Sequence, residues 1–235
     1  MEEMYLCGVR IDALWRREAV GRALAGDGLT CVFTPNLLML QACRRDAELR
    51  KLLCSADLSL ADGAGVLRLA KRHGTPLPER IAGIDFGEDL LREAEKRGLH
   101  VFLLGGREGI ALRASERLMR SHPRLRICGV QNGYFDREGE ENQAILEHIR
   151  RRRTDILLVC LGFPLQERWI LENRAALEGV QVAAGLGGSL DVWAGKVRRA
   201  PRPLRSMGLE WAWRMALEPR RLRELPHLLR GSLLR

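Results

Sequence analysis

A short acidic motif follows an apolar stretch in the first third of the chain. Asp62 comes just after the stretch Asp57–Leu60 and opens the sequence Asp-Gly-Ala-Gly. If that stretch is a strand, the carboxylate lies where a substrate hydroxyl could bind, and it could remove the hydroxyl proton as a general base. A helix is predicted from Gly65, and aspartate caps helices well, so capping has equal weight on spacing alone. The two roles are compatible, because the capping position and the end of the strand coincide.

A glycine-rich turn joins a later apolar stretch to a helical segment. Gly105 and Gly106 are followed, after two other residues, by Gly109. Such glycines let backbone N–H groups approach a phosphate, and the positive end of the helix dipole points at it. The spacing differs from the dinucleotide fingerprint, and the next predicted strand, Arg126–Val130, is not followed by a ribose-binding acid. The turn favours a nucleotide diphosphate over the alternative of a Rossmann-type oxidoreductase with a nicotinamide cofactor. A tight turn without a ligand stays open.

Further polar residues and glycines come after other predicted strands. Thr34 and Asn36 could contact a ligand or cap the next helix, and their spacing does not separate these roles. Gln166 opens a helix after a Gly-x-Pro turn, where its amide could read sugar hydroxyls or the edge of a uracil. Gly187 and Gly188 form a second glycine pair, after the last predicted strand.

Two charged residues near these turns have alternative readings. Arg80 follows Pro76 and Pro78 in a predicted loop, and it could be a fixed cation for a phosphate. Loop arginines are more often solvated, however. Glu167 is interpreted as an acid at the start of a helix, favoured there by the helix dipole.

The elements that must position these residues alternate along the chain. Segments with helical periodicity alternate with short apolar runs, which predicts an α/β, Rossmann-like fold whose mostly parallel sheet carries helices on both faces. Ligands of such folds bind beyond the carboxyl ends of the strands, where the candidate residues lie. The predicted strands are Thr30–Phe33, Asp57–Leu60, His100–Leu104, Arg126–Val130, Asp155–Leu161 and Val180–Ala184. The predicted helices are Leu37–Arg45, Ala47–Leu53, Gly65–Arg72, Asp85–Arg97, Ile110–Ser121, Glu140–Arg152 and Gln166–Ala176.

Positive charge is concentrated at the carboxyl terminus. Lys196–Arg235 carries ten arginines and one lysine against three glutamates, which is +8 of the formal net charge of +9. Apolar residues, Trp211 and Trp213 among them, alternate with these arginines. We therefore predict a catalytic domain of residues 1–195 and a basic, amphipathic helical appendage of residues 196–235 suited to an anionic membrane surface. A nucleic-acid-binding protein that uses this tail on phosphates is the alternative.

Composition excludes several other classes. The longest apolar stretch, Ile156–Pro164, is far shorter than the roughly 20 residues of a membrane span, and Met1-Glu2-Glu3 lacks the basic start of a signal peptide. Neither the six scattered cysteines nor the five histidines have metal-site spacing, so we expect reduced thiols, no structural metal and no cofactor. These features predict a cytoplasmic protein, peripheral on the inner face of the plasma membrane.

Several motifs, in this order, resemble the WecG/TagA/CpsF family of glycosyltransferases over residues 30–222. They are Thr34-Pro35-Asn36, Ala61-Asp62-Gly63-Ala64-Gly65-Val66, Glu79-Arg80-Ile81-Ala82-Gly83, Phe102-Leu103-Leu104-Gly105-Gly106, Gly133-Tyr134-Phe135, Gly162-x-Pro164-x-Gln166-Glu167, Gly187-Gly188-x-x-Asp191, Arg199-Ala200-Pro201 and Gly208-Leu209-Glu210-Trp211. The resemblance implies a Rossmann-like core and a C-terminal appendage that covers the active site and approaches the membrane. One departure is Leu165, which stands where lysine is frequent in the family.

The resemblance also implies an activity in the synthesis of bacterial cell-surface polymers. Similar proteins transfer an N-acetylmannosamine-type sugar from UDP to undecaprenyl-diphosphate-linked N-acetylglucosamine with inversion, and they can self-associate. Carried over by position, Asp62 is the base and Thr34, Asn36, Arg80 and Gln166 contact substrate. Arg214 and Arg221 fall where the appendage supplies cations to the diphosphate.

One absence in the sequence bears on the expected mechanism. No two aspartates are spaced as D-x-D, the pair that holds a divalent metal in many sugar-nucleotide transferases. Tail arginines could neutralise a departing diphosphate instead, because guanidinium groups pair bidentately with phosphate oxygens. The expected reaction is therefore metal-independent.

Overall fold

Eight strands and ten α-helices occur in the part of the chain that the computed structural model describes, residues 4–210 and 212–213. The strands are β1 Met4–Leu6, β2 Val9–Ile11, β3 Thr30–Phe33, β4 Leu58–Ser59, β5 His100–Gly105, β6 Arg126–Gln131, β7 Ile156–Cys160 and β8 Val182–Gly185. The helices are α1 Arg16–Ala23, α2 Leu37–Arg45, α3 Ala47–Cys54, α4 Ala64–Arg72, α5 Gly83–Arg97, α6 Ile110–Ser121, α7 Glu140–Arg151, α8 Leu165–Glu172, α9 Ser189–Trp193 and α10 Arg202–Ser206.

The central sheet has six strands, all parallel, in the order β4-β3-β8-β7-β5-β6. The inner strands are apolar along their whole length because both of their faces are covered; every residue of Ile156–Cys160, for example, is buried. The predicted fold class is confirmed. All six strands point the same way, so the segments after them gather at one edge of the sheet, which we call the carboxyl edge.

Helices pack on both faces of the sheet and divide the core into two layers. Alternate strand residues face opposite layers, so Leu103 and Leu158 belong to one hydrophobic cluster, and Phe102 and Leu157 belong to the other. The first cluster is covered by α1, α5, α6 and α9, and the second by α2, α3, α4, α7 and α8. Adjacent strands whose helices lie on opposite faces create a crevice at the carboxyl edge. The helices that follow adjacent strands change face between β3 and β8, between β8 and β7, between β7 and β5, and between β5 and β6.

An antiparallel hairpin, β1–β2, lies beside the outer strand β4 and was not predicted from the sequence. The backbone N–H of Asp12 donates to the Ser59 carbonyl at 2.9 Å, and its carboxylate accepts from the Ser59 N–H at 2.7 Å. The Arg10 guanidinium donates to the carbonyls of Ala56 and Asp57. The outer side of β4 is therefore covered by the residues that follow the hairpin and by its arginine.

Several other elements differ from the sequence prediction. The predicted helix Gln166–Ala176 is two elements, α8 and a 3-10 helix Arg174–Leu177, separated at Asn173, whose amide donates to the Trp169 carbonyl at 2.7 Å. The predicted strand Asp57–Leu60 is shortened to Leu58–Ser59, and the Asp57 carboxylate accepts from the Cys31 N–H at 2.7 Å. Helices α1 and α9 were not predicted, and α10 lies within the appendage that was predicted to be helical.

Candidate active site

The order of the strands sets the order of the candidate residues along the carboxyl edge. Asp62 follows β4, Thr34 follows β3, Gly187 follows β8 and Gln166 follows β7, while Gly105 ends β5. The sequence correctly predicted that these residues share one edge, because parallel strands end on the same side. Their arrangement along that edge depends on the strand order, which the sequence did not provide.

Asp62 is half-buried between β4 and α4. Its backbone N–H donates to the Pro35 carbonyl at 3.0 Å, which ties the loop after β4 to the loop after β3. The N-cap of α4 is Gly63 and not Asp62, so the capping interpretation of Asp62 was wrong. A carboxylate that lies at the crevice and is not the helix cap can serve as a base.

Thr34 and Asn36 both have local structural roles at the end of β3. The buried Thr34 hydroxyl donates to the Gly185 carbonyl at 3.2 Å and so joins the ends of β3 and β8. Asn36 is the N-cap of α2, and its Oδ1 accepts from the N–H groups of Leu38 and Met39 at 3.0 and 3.2 Å. The capping interpretation of Asn36 is confirmed. The Asn36 side-chain NH2 is a separate donor that could still meet a ligand.

Gln166 is buried and holds two turns together. Its Oε1 accepts from the N–H groups of Gly187 at 2.9 Å and Gly162 at 3.3 Å, and its Nε2 donates to Glu167 at 2.9 Å. Gly185 passes so close to this amide that an added Cβ would lie 2.9 Å from Nε2. In this arrangement Gln166 holds the backbone of the loops after β7 and β8 in place, and these contacts already occupy its amide oxygen.

Glu167 lies in the first turn of α8, as a helix-start acid would, but it is completely buried. Its Oε2 has no hydrogen-bond partner among the described residues. Burial raises the pKa of the carboxyl to about 7, an effect that the hydrogen bond from Gln166 partly opposes. Sequence reasoning missed this burial, because a polar residue one turn into a helix carries no local sign of being covered.

The glycine pair after β5 is required by backbone packing. Gly105 has φ 133° and Gly106 has φ 71°, and a Cβ on Gly105 would clash with the Cys160 carbonyl oxygen, because the two atoms would be closer than the sum of their van der Waals radii. Gly106 accepts from the Gly133 N–H at 2.8 Å. The tight-turn interpretation therefore has a physical basis, and a phosphate role for Gly105 and Gly106 stays a prediction.

The second glycine pair has unequal roles. The Gly187 N–H is engaged by Gln166 at 2.9 Å, so it is not available to a phosphate in this arrangement. Gly188 is the N-cap of the short helix α9, and a Cβ built there would meet no atom within 4 Å. Substrate contacts at Gly187 and Gly188 stay predictions.

Arg80 lies in the loop before α5 and is not solvated as loop arginines usually are. Its side chain is 19% exposed, and its Nη1 donates to Glu210 at 3.2 Å. Asp85 is 3.7 Å from its Nη2. The cation is thus fixed near the crevice, and one of its partners comes from the C-terminal segment.

The C-terminal segment also packs against the start of α4. Gly208, at φ 71°, approaches the start of α4 so closely that an added Cβ would lie 2.6 Å from the Ala64 Cβ. Ala64 is two residues after Asp62. The C-terminal segment therefore reaches the same part of the carboxyl edge as the candidate base.

Comparison with known protein families agrees with this geometry. The sequence model of the glycosyl transferase WecG/TagA/CpsF family matches residues 4–232. The chain belongs to this family. The resemblance read from the motifs is confirmed, and the family is one of glycosyltransferases in cell-surface polymer synthesis. Membership implies, in general terms, a nucleotide-sugar donor and a lipid-linked acceptor.

As a WecG/TagA/CpsF family member, the chain has two further predicted site residues, Arg214 and Arg221. Both lie outside the described residues. Of the predicted appendage, 196–235, the structure describes residues 196–210, which include α10, and residues 212–213. The Trp213 indole donates to the Arg198 carbonyl at 3.0 Å, which folds this segment back on its own start.

Two features are absent from residues 4–210 and 212–213. None of their helices is long and apolar enough to cross a bilayer. They also contain no group of three or more His, Cys, Asp or Glu side chains placed to hold a metal ion.

Sequence reasoning missed the charged partners of Arg80. Its acidic partners are Asp85, in the first turn of α5, and Glu210, which follows α10; Arg199, which precedes α10, pairs with the same two acids. Arg199 and Glu210 lie within motifs shared with the family, which could have marked them, but no local pattern pairs residues more than a hundred positions apart.

Proposed function

We propose that this chain transfers an N-acetylmannosamine-type sugar from UDP to undecaprenyl-diphosphate-linked N-acetylglucosamine, with inversion and without a metal ion. The observation that carries the proposal is the position of Asp62. The residue is half-buried, lies three residues after the end of β4, and is two residues from the contact between Ala64 and the C-terminal segment. A carboxylate in that position meets the requirements for a general base at a crevice between core and appendage.

In the proposed reaction Asp62 accepts the proton of the acceptor hydroxyl, O4 of the lipid-linked N-acetylglucosamine. The hydroxyl oxygen forms a bond to the anomeric carbon of the donor as the bond from that carbon to the UDP oxygen breaks. A single displacement of this kind inverts the anomeric centre. Arg80, together with the tail residues Arg214 and Arg221, stabilises the negative charge that develops on departing UDP.

The width of the carboxyl edge suits an elongated donor. Asp62 follows β4 and Gly105 ends β5, four strand positions away in the sheet. At about 4.8 Å per strand this separation is roughly 19 Å. A single compact ligand would not reach both ends, whereas a nucleotide sugar would place its nucleotide towards Gly105–Gly106 and its sugar towards Asp62.

Asp62→Asn tests the base. With saturating UDP-N-acetylmannosamine and a short-chain lipid-diphosphate N-acetylglucosamine in excess EDTA, we expect wild-type protein to release UDP and form the disaccharide lipid. We expect Asp62→Asn to lose about 10²- to 10⁴-fold in turnover. Asp27→Asn, at an exposed loop position, is the matched control and should match wild type. Near-wild-type turnover of Asp62→Asn would refute the assignment, and product formation that requires a divalent metal would refute metal independence.

We also propose that the basic appendage brings the enzyme to the cytoplasmic face of the membrane. The support is its composition, with +8 of the net charge and interleaved tryptophans. In a vesicle sedimentation assay we expect binding to phosphatidylglycerol vesicles and little binding to phosphatidylcholine vesicles. Replacing Arg214 and Arg221 with glutamine should weaken the binding, and equal binding to both kinds of vesicle would contradict an electrostatic anchor.

A further inference from the structure

Four charged side chains form a closed ring between the core and the C-terminal segment. Arg199 is 2.7 Å from Asp85 and 3.4 Å from Glu210, and Arg80 is 3.2 Å from Glu210 and 3.7 Å from Asp85. Each cation therefore meets both acids, and each acid meets both cations. We call these residues, Arg80, Asp85, Arg199 and Glu210, the charge ring.

The charge ring is shielded from solvent. Its four side chains are only 12–19% exposed. Charge pairs at the surface contribute little because water screens them, but removing one member of a shielded set leaves a partner charge that is poorly solvated. The ring is thus expected to form as a unit rather than as four independent contacts.

The ring joins two parts of the protein that are distant in sequence. Arg80 and Asp85 belong to the core, in the loop before α5 and in its first turn. Arg199 and Glu210 belong to the C-terminal segment, on either side of α10. The close approach of Gly208 to Ala64 fixes the same segment next to Asp62. Docking of this segment and closure of the charge ring are therefore one event.

We propose that Glu210 and Asp85 are positioning residues that hold the Arg80 guanidinium in place for the donor diphosphate, and that this orientation is set only when the C-terminal segment is docked. The inference rests on the proposed function. A guanidinium carries five N–H donors, so an arginine held by one carboxylate and flanked by another can still bind phosphate oxygens. Fixing its direction in advance reduces the ordering cost of binding.

An opposite role for Glu210 makes a different prediction. If its carboxylate occupied the place of the substrate phosphate, removing the charge would strengthen donor binding. If Glu210 positions Arg80, removing the charge weakens donor binding. The sign of the change in affinity separates the two roles.

The test uses the full chain with the isosteric substitutions Glu210→Gln and Asp85→Asn. Glu88→Gln is the control. Glu88 lies on α5, as Asp85 does, and is 3.8 Å from Arg199, but it is not a member of the charge ring. Calorimetric titration with UDP gives binding, and assays with varied UDP-N-acetylmannosamine give kcat and KM. We expect Glu210→Gln and Asp85→Asn to weaken UDP binding and lower kcat/KM for the donor about tenfold or more, and Glu88→Gln to stay within about twofold of wild type.

A folding readout keeps these results interpretable. Each variant is checked by thermal unfolding, and Glu210→Asp tests rescue by a shorter carboxylate. We expect partial recovery of UDP affinity in Glu210→Asp. Folded Glu210→Gln with wild-type or tighter UDP binding would overturn the inference.

The outcomes also separate this inference from the proposed function. If wild-type protein forms product but Glu210→Gln and Asp85→Asn bind UDP as it does, positioning by the ring fails while the transferase assignment stands. If wild-type protein binds no UDP, the proposed donor fails and the inference falls with it.

Discussion

The two halves of the carboxyl edge are built from different interactions. At the β4–β3 half, charged side chains predominate, and Arg80 is held by acids from two parts of the chain. At the β8–β7–β5 half, backbone and neutral amides predominate, with Gln166 bridging two turns and glycines packed against the Cys160 carbonyl. The first half depends on docking of the C-terminal segment, whereas the second is complete within the core. Under the proposed function, the β8–β7–β5 half would be a preformed nucleotide site, and the β4–β3 half would be assembled when the C-terminal segment docks.

The strongest test of the preformed half is Gly105→Ala. The new methyl group would clash with the Cys160 carbonyl, and the φ of 133° is strained for alanine. We expect the free energy of unfolding in urea to fall by on the order of 3 kcal/mol or more. Gly21 is exposed in α1, and a new Cβ there would have no atom within 4 Å. We expect Gly21→Ala to raise the free energy of unfolding by about 0.5–1 kcal/mol. Equal stability of Gly105→Ala and wild type would show that this half is not rigid.

A second test concerns the buried acid of the same half. Because the pKa of Glu167 is raised to about 7, the folded protein binds more protons than the unfolded chain between about pH 4.5 and 7. This group therefore lowers the free energy of unfolding as pH rises through that range, by up to about 3–4 kcal/mol. We expect the free energy of unfolding in urea to fall less between pH 5 and pH 8 for Glu167→Gln than for wild type.

The control for that measurement is Glu172→Gln, at the exposed end of the same helix. It should keep the wild-type pH dependence. Glu167→Gln with an unchanged pH dependence would mean that the carboxyl titrates normally and that the half is more hydrated than its burial indicates.

The smallest expected effect is at the junction of the two halves. Thr34→Val removes the hydroxyl that bonds the Gly185 carbonyl and should cost about 1 kcal/mol in urea unfolding. Thr34→Ser keeps the hydroxyl and should retain most of that stability. If Thr34→Val leaves stability unchanged but raises KM for the donor, the hydroxyl serves substrate rather than the junction.

Much of the fold could be predicted because its signals are local. The runs Thr30–Phe33 and His100–Leu104 are apolar and short, so they read as strands buried on both faces, and both strands are present. The hairpin β1–β2 was missed for two reasons. Its strands have only three residues each, and its turn contains Cys7 at φ 53°, a conformation that the sequence Cys-Gly does not predict. Helices of five residues, such as α9, are too short for periodicity to show.

The candidate residues were predicted to lie at one edge of the sheet, as they do, but their contacts were predicted only in part. Asp62 and Thr34 were placed correctly because both follow parallel strands. The bond between Thr34 and Gly185 spans 151 positions, and the bond between Arg80 and Glu210 spans 130. Such contacts depend on strand order and on how the segment after α9 returns, and neither is encoded in a local pattern.

The covered side of β4 has a consequence for how copies of this protein can meet. An open strand edge is a template on which a second chain can add a strand. Here the outward N–H and C=O of Ser59 are both bonded to Asp12, and Arg10 occupies the carbonyls of Ala56 and Asp57. Continuing the sheet into a neighbouring molecule at this strand would first require the residues that follow the hairpin to detach. The same few bonds thus guard this edge of the sheet against the addition of a strand from a neighbouring molecule.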